Sequence, residues 1–419
     1  MNTSIQGLLT VIAVLALGGC AAPRDPEPPP PPPQVPVPVV MDPFPVPDGL
    51  RPQVDFWRQV YGTWSLGQVV IHDDRHLDLI YEIADLPGPV SDGYTAAQRD
   101  FIDRRKALWQ ERLQALARKT LAGEPLTAAE QDLARRLAAS GASVFGADRR
   151  LRAQRGIRER FRRGLEISGR YDGLFREAFR QAGLPEDLAY LPHVESSFQN
   201  HARSSAGAVG MWQFTRPAAR TYMTSHPALD ERLDPLAACR GAARYLRHAY
   251  AALGDWSLAL TSYNHGITGM QRARNLHGAD FLRIVRHYDH PSFGFASRNF
   301  YAEFLAARQV AADPLRFFPE GIRYELPLAW DRLVLDQDAP VALLARHYGL
   351  DPEELAVLNL AWTGAARSGQ VALPMGTEVW LPAGTLTRTA RAAAAADPAL
   401  AMVNGAAAPV PPSADVKLQ

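Results

Sequence analysis

The sequence predicts a mainly α-helical chain that is divided into several domains. Its 419 residues allow two or three domains at about 100–200 residues each. Apolar residues recur at helical spacing within residues 50–182, for example at Leu108, Leu113 and Leu116. Only residues 324–383 carry short β-like pieces, which flank a helical pair. These observations favour helical domains followed by a small βααβ module.

Charge and cysteine content exclude several classes of protein. The chain has 45 Lys and Arg against 44 Asp and Glu, so its net charge of +1 argues against a dedicated nucleic-acid binder. Two cysteines exclude a disulfide scaffold and a zinc site of four thiolates, and Cys239, in a helical apolar run, is expected to be buried. The sequence has no His-Glu-x-x-His, paired-Cys or phosphate-loop motif, so it indicates neither a metal nor another cofactor.

Residues 1–19 are predicted to be an export signal, because the apolar run Leu8–Leu17 ends in Leu-Gly-Gly before Cys20. This ending resembles the lipobox of bacterial lipoproteins, in which the cysteine is the cleavage point and carries the lipid. The resemblance implies a lipid anchor at Cys20. Because Ala21 is not the Asp that signals inner-membrane retention in some bacteria, it also implies the periplasmic face of the outer membrane. Met1–Gly7 lacks the usual Lys or Arg, and a short buried helix with a chance cysteine is the alternative.

The segments around the central region differ in composition. Residues 20–49 are a proline-rich linker, which as polyproline II would reach roughly 80 Å over 25 residues; a proline-rich signalling ligand is the alternative. Residues 50–154 are expected to be a helical N-terminal region, with a capping box at Thr127. Arg149–Arg170 holds nine arginines and two glutamates, which predicts a solvated helix face or, as the alternative, a surface for an acidic polymer. Residues 385–419 are rich in Ala and Pro and predict a disordered tail.

The candidate catalytic residue is Glu195. Gly183 is expected to end one helix, and Pro185 to open the next at its first position. In that next helix Leu188, Leu191 and Glu195 share a face, so the carboxyl group is expected to lose water, which raises its pKa. A carboxylic acid that stays protonated near neutral pH can give its proton to a leaving oxygen.

Three ordered motifs accompany this glutamate. The first runs from Glu195-Ser-Ser-Phe through Ser204 and a Gly-x-x-Gly turn to Gln213; the second is Ser262–Gly266, and the third is Ser297–Ala306. Together they resemble the signature of the soluble-lytic-transglycosylase-like family, and most closely its membrane-bound D-type members. The resemblance implies a lysozyme-like α catalytic domain over residues 155–318, and peptidoglycan glycan strands as the partner.

The resemblance also implies a role for each matching residue. Glu195 would be the sole catalytic acid and base. Asn264 is expected to be a buried amide beside it. In the third motif Phe300 takes the place of the family's tyrosine, so either Tyr301 supplies the hydroxyl or that contact is lost. Trp212 is expected to be either a core residue or a sugar platform. The positions that match the family's substrate-binding residues are Ser204, Met211, Gln213, Tyr263, Asn264 and Tyr301.

The number of carboxylates bears on the mechanism, since ordinary glycosidases use two and the motifs offer only Glu195. Glu186 and Asp187 precede it by more than two turns of one helix, ~12 Å at 1.5 Å per residue. In the family's reaction one glutamate protonates the oxygen between N-acetylmuramic acid and N-acetylglucosamine. It then deprotonates the C6 hydroxyl, which closes a 1,6-anhydro ring without water. A lysozyme-like hydrolase and a non-catalytic peptidoglycan-binding lipoprotein are the alternatives.

Residues 322–384 are expected to form a separate small module. Tyr324–Leu326 and Val379–Pro382 predict strands, and between them Asp351 is expected to cap the second of two helices. The βααβ order and the element Leu355–Asn359 resemble a LysM domain, which implies glycan binding. A capping subdomain is the alternative.

Overall fold

Helices form most of the structure, which confirms the predicted mainly α class. This computed structural model describes residues 42–396, with side chains to residue 393. The described residues from Pro43 to Ala396 belong to one compact unit. No helix among the described residues is long and apolar enough to cross a membrane. The predicted export signal, Cys20 and most of the proline-rich linker lie outside the described residues, as does the tail beyond residue 396.

The helices and strands follow one another in a fixed order. The α-helices are α1 Arg51–Gly62, α2 Ala96–Ala122, α3 Ala128–Ala139, α4 Arg158–Ser168, α5 Asp172–Gln181, α6 Leu191–Glu195, α7 Arg216–Tyr222, α8 Pro235–Leu253, α9 Trp256–His265, α10 Ile267–His277, α11 Phe281–His287, α12 Phe295–Ala312, α13 Pro314–Phe317, α14 Val341–Tyr348, α15 Pro352–Leu358, α16 Gly364–Arg367 and α17 Thr385–Ala396. The strands are β1 Gln68–Asp73, β2 Ile80–Asp85, β3 Leu151–Arg155, β4 Asp331–Val334 and β5 Glu378–Leu381.

The N-terminal region contains a sheet, so the prediction that residues 50–154 are mostly helical is wrong for β1, β2 and β3. The three strands form an antiparallel sheet in the order β2-β1-β3. The central strand carries the run Val69–Ile71, which is fully buried. Such a short β-branched run suits a pleated sheet and loses side-chain freedom in a helix. Helices α2 and α3 cover this sheet, and the predicted capping box at Thr127 is confirmed.

The arginine-rich stretch is not the predicted solvated helix face, because it spans β3 as well as α4 and its side chains are bonded to neighbouring segments. Arg150 forms an ion pair with the buried Asp73 at 2.8 Å. Arg155 donates to the Leu66 carbonyl at 2.6 Å. Arg158 bonds to the Gly62 carbonyl and to Glu320. The stretch therefore ties the sheet to the helices.

The largest core lies in the helical body, and α12 packs against α1, α6 and α9 within it. Cys239 is fully buried in this core, as expected. Phe44 belongs to the same core, at 5.1 Å from the ring of Phe304. Residues 43–49 are therefore part of the folded body and not of the predicted linker.

The C-terminal module has the predicted βααβ order, with the short helix α16 added before the last strand. Its first strand is β4, because residues 321–330 have no regular structure, so the prediction of a strand at Tyr324–Leu326 is wrong. The Asp351 cap is confirmed, since its carboxylate accepts from the amides of Glu353 and Glu354. Asn359 is buried and bonds to the backbone of Trp380 in both directions, which joins α15 to β5.

This module packs directly on the helical body. Trp380 donates its indole N–H to the buried Asp234 at 2.9 Å, and Asp234 also caps α8. Arg240 forms an ion pair with Glu378 at 2.6 Å. The two parts therefore share a polar and apolar interface.

The prediction of a disordered tail is wrong for Thr385–Ala396, which form α17. Asp331 holds the start of this helix by accepting from the amides of Gly384 and Leu386. An alanine-rich segment has high intrinsic helix propensity, which explains why low complexity did not prevent a helix here.

Candidate active site

Glu195 ends a short helix that is fixed by backbone contacts. A 3₁₀ segment, Glu186–Tyr190, leads into α6, so the predicted single helix is in two parts. After Glu195 the chain turns sharply, with positive φ at Ser197 and Phe198, and the Phe198 amide bonds back to the Pro192 carbonyl at 3.1 Å. Positive φ is strained for residues with a side chain and is frequent at functional sites.

The Glu195 carboxyl group is partly buried, and its surroundings favour the protonated form. Burial is the main cause, and the charge of the nearby Glu303 is the second; together they raise the pKa of Glu195 to about 8. This agrees with the expectation that Glu195 is desolvated.

Glu303 is a second carboxyl group at this site, so the prediction of a single carboxylate is wrong. It lies on α12, inside the third motif, and α12 packs against α6. Burial raises the pKa of Glu303 to about 8, against an opposing effect of Arg152. The spacing in the sequence could have indicated Glu303, because it is three residues after Phe300 and so the two residues share a helix face.

Two residues of the N-terminal region reach this pair of carboxyl groups. Tyr61 of α1 is buried, and its pKa is raised by burial, by Glu303 and by Glu195. Its ring stacks on Phe161 at 4.8 Å, and Phe161 stacks on His193, two residues before Glu195. Arg152 of β3 lies near Glu303, and its guanidinium is 3.9 Å from the ring centre of Phe295. Sequence reasoning missed both residues, because neither lies in a motif.

The turn between Ser204 and Gln213 is held by its own hydrogen bonds. The Ser204 hydroxyl accepts from the Ala208 amide at 3.0 Å, and its side chain is exposed. Gly210 has φ of 82°, and a Cβ there would lie 1.9 Å from the Arg232 carbonyl. Gln213 also has positive φ, and its amide donates to the Gly210 carbonyl at 2.8 Å. Ser204 and Gln213 thus shape the turn that the first motif predicts.

Arg232 supports this turn and was not found from the sequence. It is buried and pairs with Asp230 through two bonds of 2.8 Å. Its guanidinium also donates to the Gly207 and Phe214 carbonyls, at 3.4 and 3.5 Å. The ion pair with Asp230 therefore holds the Arg232 guanidinium against the turn.

Tyr263 connects this turn to the glutamate. Its hydroxyl donates to the Trp212 carbonyl at 2.9 Å. Burial first, and then the charge of Glu195, raise its pKa well above the usual value, so Tyr263 is close to the carboxyl group. The Ser196 hydroxyl donates to the Met211 carbonyl at 2.7 Å, which joins the same two segments a second time.

Asn264 follows on α9 but is exposed, so the expectation of a buried amide is wrong. Its side-chain oxygen accepts from the Ser297 hydroxyl at 2.7 Å. This bond joins the second motif to the start of the third. Asn264 is accessible to a ligand, because its side chain is exposed, and it lies one residue before the end of α9 at His265.

Three other candidates lie in the core. Trp212 is fully buried, which decides for the core residue over the sugar platform, and the Met211 side chain is buried as well. Tyr301 is buried, and its hydroxyl donates to the Pro45 carbonyl at 3.1 Å. Phe300 stacks on Tyr263 at 6.3 Å.

Glu186 and Asp187 do not belong to the site. Glu186 pairs with Arg180 at 2.8 Å, and Asp187 with Arg308 at 2.6 Å and Arg176 at 3.2 Å. Each carboxylate is thus held by arginine, away from the pair formed by Glu195 and Glu303.

Comparison with known families agrees with this geometry. Residues 173–280 match the model of the family described as Transglycosylase SLT domain. The matched segment contains Glu195, the turn to Gln213 and Tyr263. The resemblance to the soluble-lytic-transglycosylase-like family is confirmed over this segment.

Relatives match over the same part of the chain. Membrane-bound lytic murein transglycosylase D of Escherichia coli is 34% identical over 89 residues, which are 21% of this chain and 20% of the relative. Membrane-bound lytic murein transglycosylase F of Vibrio campbellii is 32% identical over 132 residues, 26% of this chain and 24% of the relative. The chain thus spans about a fifth to a quarter of the length of these relatives. The match to a solved structure, lytic transglycosylase Slt from Pseudomonas aeruginosa, has 18% sequence identity and a TM-score of 0.28. It covers 34% of this chain and 24% of the solved chain, and this likeness is too low to bear on the fold.

Proposed function

We propose that the protein is a peptidoglycan lytic transglycosylase in which Glu195 is the catalytic acid and then the base. The observation that carries the proposal is the position of Glu195. Its partly buried carboxyl group lies at the end of α6, beside Tyr263 and the turn that ends at Gln213. A carboxyl group with a pKa of about 8 holds its proton at neutral pH and has it available for a leaving oxygen.

The chemistry begins when Glu195 gives its proton to the oxygen between N-acetylmuramic acid and N-acetylglucosamine. The glycosidic bond breaks, and positive charge develops at C1 of the muramic sugar. Glu195, now ionised, takes the proton of the C6 hydroxyl, whose oxygen bonds to C1 and closes the 1,6-anhydro ring. Such proton transfer contributes about 10²–10⁴-fold to the rate. Asn264, exposed at the end of α9 and held by Ser297, is available to bind the sugar.

A lysozyme-like hydrolase is the second candidate, and Glu303 is the observation that favours it. Most glycosidases use two catalytic carboxyl groups, of which the second acts as a base or nucleophile. If Glu303 activated a water molecule, the product would carry a reducing muramic acid end in place of the anhydro ring.

Glu195→Gln tests both candidates. Gln keeps the shape of the side chain but has no proton to exchange, so cleavage of purified sacculi is expected to fall by at least ~10²-fold. Mass spectrometry of the wild-type products is expected to find anhydro ends, which are lighter by one water than reducing ends.

Glu186→Gln is the matched control, because Glu186 is a partly buried glutamate outside the site that pairs with Arg180. It is expected to keep wild-type cleavage. Full activity of Glu195→Gln would refute the assignment of the acid, and reducing ends in the wild-type digest would favour the hydrolase.

Attachment and binding outside the site complete the proposal. We propose that Cys20 carries the lipid that places the enzyme at the periplasmic face of the outer membrane, in accord with the lipobox-like ending at Cys20. We also propose that residues 322–384 are a LysM-like module, supported by the βααβ order. Retention of the intact chain on peptidoglycan, compared with a chain ending at residue 320, would test its glycan binding.

A further inference from the structure

A cavity of about 640 Å³ lies between the N-terminal sheet and the helical body. Its walls come from the start of α1, the turn between β1 and β2, α11, and the first turn of α12. This volume falls in the range of small-ligand sites. None of the residues proposed to act on the glycan lines it.

Four buried polar atoms of residues in this wall have no hydrogen-bond partner within the described part of the chain. Three are acceptors: Gln53 Oε1, Asp74 Oδ1 and Asn299 Oδ1. The fourth is a donor, Arg298 Nε. Asn299 is only 2% exposed, and its amide nitrogen is already bonded to the Phe295 carbonyl at 2.9 Å. Since leaving a buried polar group unsatisfied is unfavourable, such a cluster indicates that something else supplies the partners.

Charged residues of both signs line the cavity, with Asp48, Asp74 and Asp78 on one hand and Arg75, Arg286 and Arg298 on the other. Arg75 and Arg298 both lie close enough to Asp74 to lower its pKa, against the larger effect of burial, which raises it. Arg286 lies close to Gly49, where a Cβ would lie 2.7 Å from the Arg286 Nη2. The unpaired acceptors favour a group with several N–H donors, and the arginines favour an anionic group such as a carboxylate.

We propose that this cavity binds a zwitterionic ligand, an amino acid or a short peptide with a free ammonium and a free carboxylate group. The ammonium donates to Gln53, Asp74 and Asn299, and the carboxylate accepts from Arg75 and Arg298. Two sources supply such chemistry: free peptides, and the peptide part of peptidoglycan. The choice of the second source rests on the proposed function, whereas the site itself does not.

Isothermal titration calorimetry of the full chain with dialanine tests the site. The dipeptide has both charges at its ends and no charged side chain. N-acetyl-dialanine amide, which has neither charge, is expected to bind at least ~10-fold more weakly. Equal binding of the two peptides, or no binding of dialanine at millimolar concentration, overturns the proposal and leaves the cavity to water.

Two variants separate binding from folding. Gln53→Leu removes an unpaired acceptor, so it is expected to keep or raise the melting temperature while it weakens dialanine binding by at least ~10-fold. Arg75→Ala truncates an exposed side chain and is expected to have the same effect on binding. Arg104→Ala, at an exposed position of α2 outside the cavity, is the control and is expected to bind like the wild type. If Gln53→Leu and Arg75→Ala also bind like the wild type, the site is refuted.

A muropeptide and its peptide-free disaccharide distinguish the two sources in the Glu195→Gln background, where cleavage does not interfere. Weaker binding of the muropeptide, but not of the disaccharide, in Gln53→Leu supports the cavity and identifies the cell-wall peptide. Binding of dialanine without any effect on the muropeptide supports the cavity for free peptides. An enzyme that fails to cleave glycan and still binds dialanine would refute the proposed function and leave this site standing.

Discussion

Two carboxyl groups at the site, Glu195 and Glu303, hinder each other's ionisation. Both are partly buried, and a negative charge on Glu303 makes a second charge on Glu195 less favourable. Tyr61 and Tyr263 face the same groups with neutral hydroxyls, and Arg152 supplies a positive charge near Glu303. The pair therefore holds a proton at neutral pH.

The pH dependence of cleavage follows from this pair. A raised pKa of about 8 keeps Glu195 protonated below pH 8, so kcat/KM is expected to be lost as the pH rises through that value. Glu303→Gln removes the charge that raises the pKa of Glu195, so the alkaline limb is expected to move to lower pH, by ~1 unit or less. A pH series of kcat/KM on soluble glycan checks this.

Glu353→Gln, an exposed position in the first turn of α15, serves as the control for charge number and is expected to leave the limb where it is. An alkaline limb that Glu303→Gln does not shift would mean that the two carboxyl groups act independently.

Single residues were only partly predictable from the sequence. Glu195 was found because its spacing from Leu188 and Leu191 places it on an apolar face. Glu303 was missed although it lies inside a motif, since its position beside Glu195 depends on the packing of α12 against α6. The exposure of Asn264 likewise depends on where α9 ends, which the motif does not define.

At the level of the element, the turn that ends at Gln213 is the feature most dependent on local backbone geometry. Gly207 and Gly210 both have positive φ, at 77° and 82°. They differ in surroundings: a Cβ on Gly207 meets nothing within 4 Å, whereas one on Gly210 meets the Arg232 carbonyl at 1.9 Å. The Gly-x-x-Gly pattern does not distinguish the two glycines, since both suit a turn with positive φ. The close packing of the backbone requires a glycine only at Gly210.

Gly207→Ala and Gly210→Ala form a matched pair that tests this difference. Gly207→Ala is expected to cost about 1–2 kcal/mol in the free energy of unfolding, the penalty for an L-residue at positive φ. Gly210→Ala is expected to cost at least ~2 kcal/mol more, because backbone must also move. Urea denaturation of both variants measures the two costs. Equal costs would contradict the close approach of Arg232.

Helices with end signals were predicted better than strands. Thr127 and Asp351 were identified as caps because a side-chain oxygen two or three residues before free amides is a local signal. The strand β1 has no alternation of buried and exposed residues, because Val69–Asp73 are all buried, and such a short continuous run cannot be told from a buried helix by its periodicity. Its pairing with β3 also joins residues about 80 positions apart. The first strand of the C-terminal module was predicted at Tyr324–Leu326, whereas the structure has it at β4. The cause is again a pairing that the local sequence does not show, since β4 is defined by its partner β5.

At the scale of the whole molecule, a buried aspartate provides one of the contacts that join the C-terminal module to the body. Asp234 accepts from the amides of Leu236 and Ala237 at the start of α8, and from the indole of Trp380. Trp380 belongs to the core of the body, although β5 belongs to the module. The change in composition predicts a boundary between the body and the C-terminal module. Composition gives no information about the interface between these two parts.

Asp234→Ala is expected to lower the free energy of unfolding by about 2–4 kcal/mol, because it removes a helix cap and leaves the Trp380 N–H without its partner. Asp351→Ala removes only a cap at an exposed position and is expected to cost about 1 kcal/mol. Calorimetry is expected to record one transition for the wild type. Equal effects of the two substitutions would mean that the Trp380 bond contributes nothing to stability.

The participation of α1, β3 and α12 at the site has a practical consequence for protein engineering. A fragment trimmed to the family-matched residues 173–280 would retain Glu195 and Tyr263 but neither Tyr61 nor Glu303. Grafting that fragment onto another scaffold would transfer Glu195 without the neighbouring residues that influence its protonation. The smallest portable unit of this chemistry runs from α1 through α12.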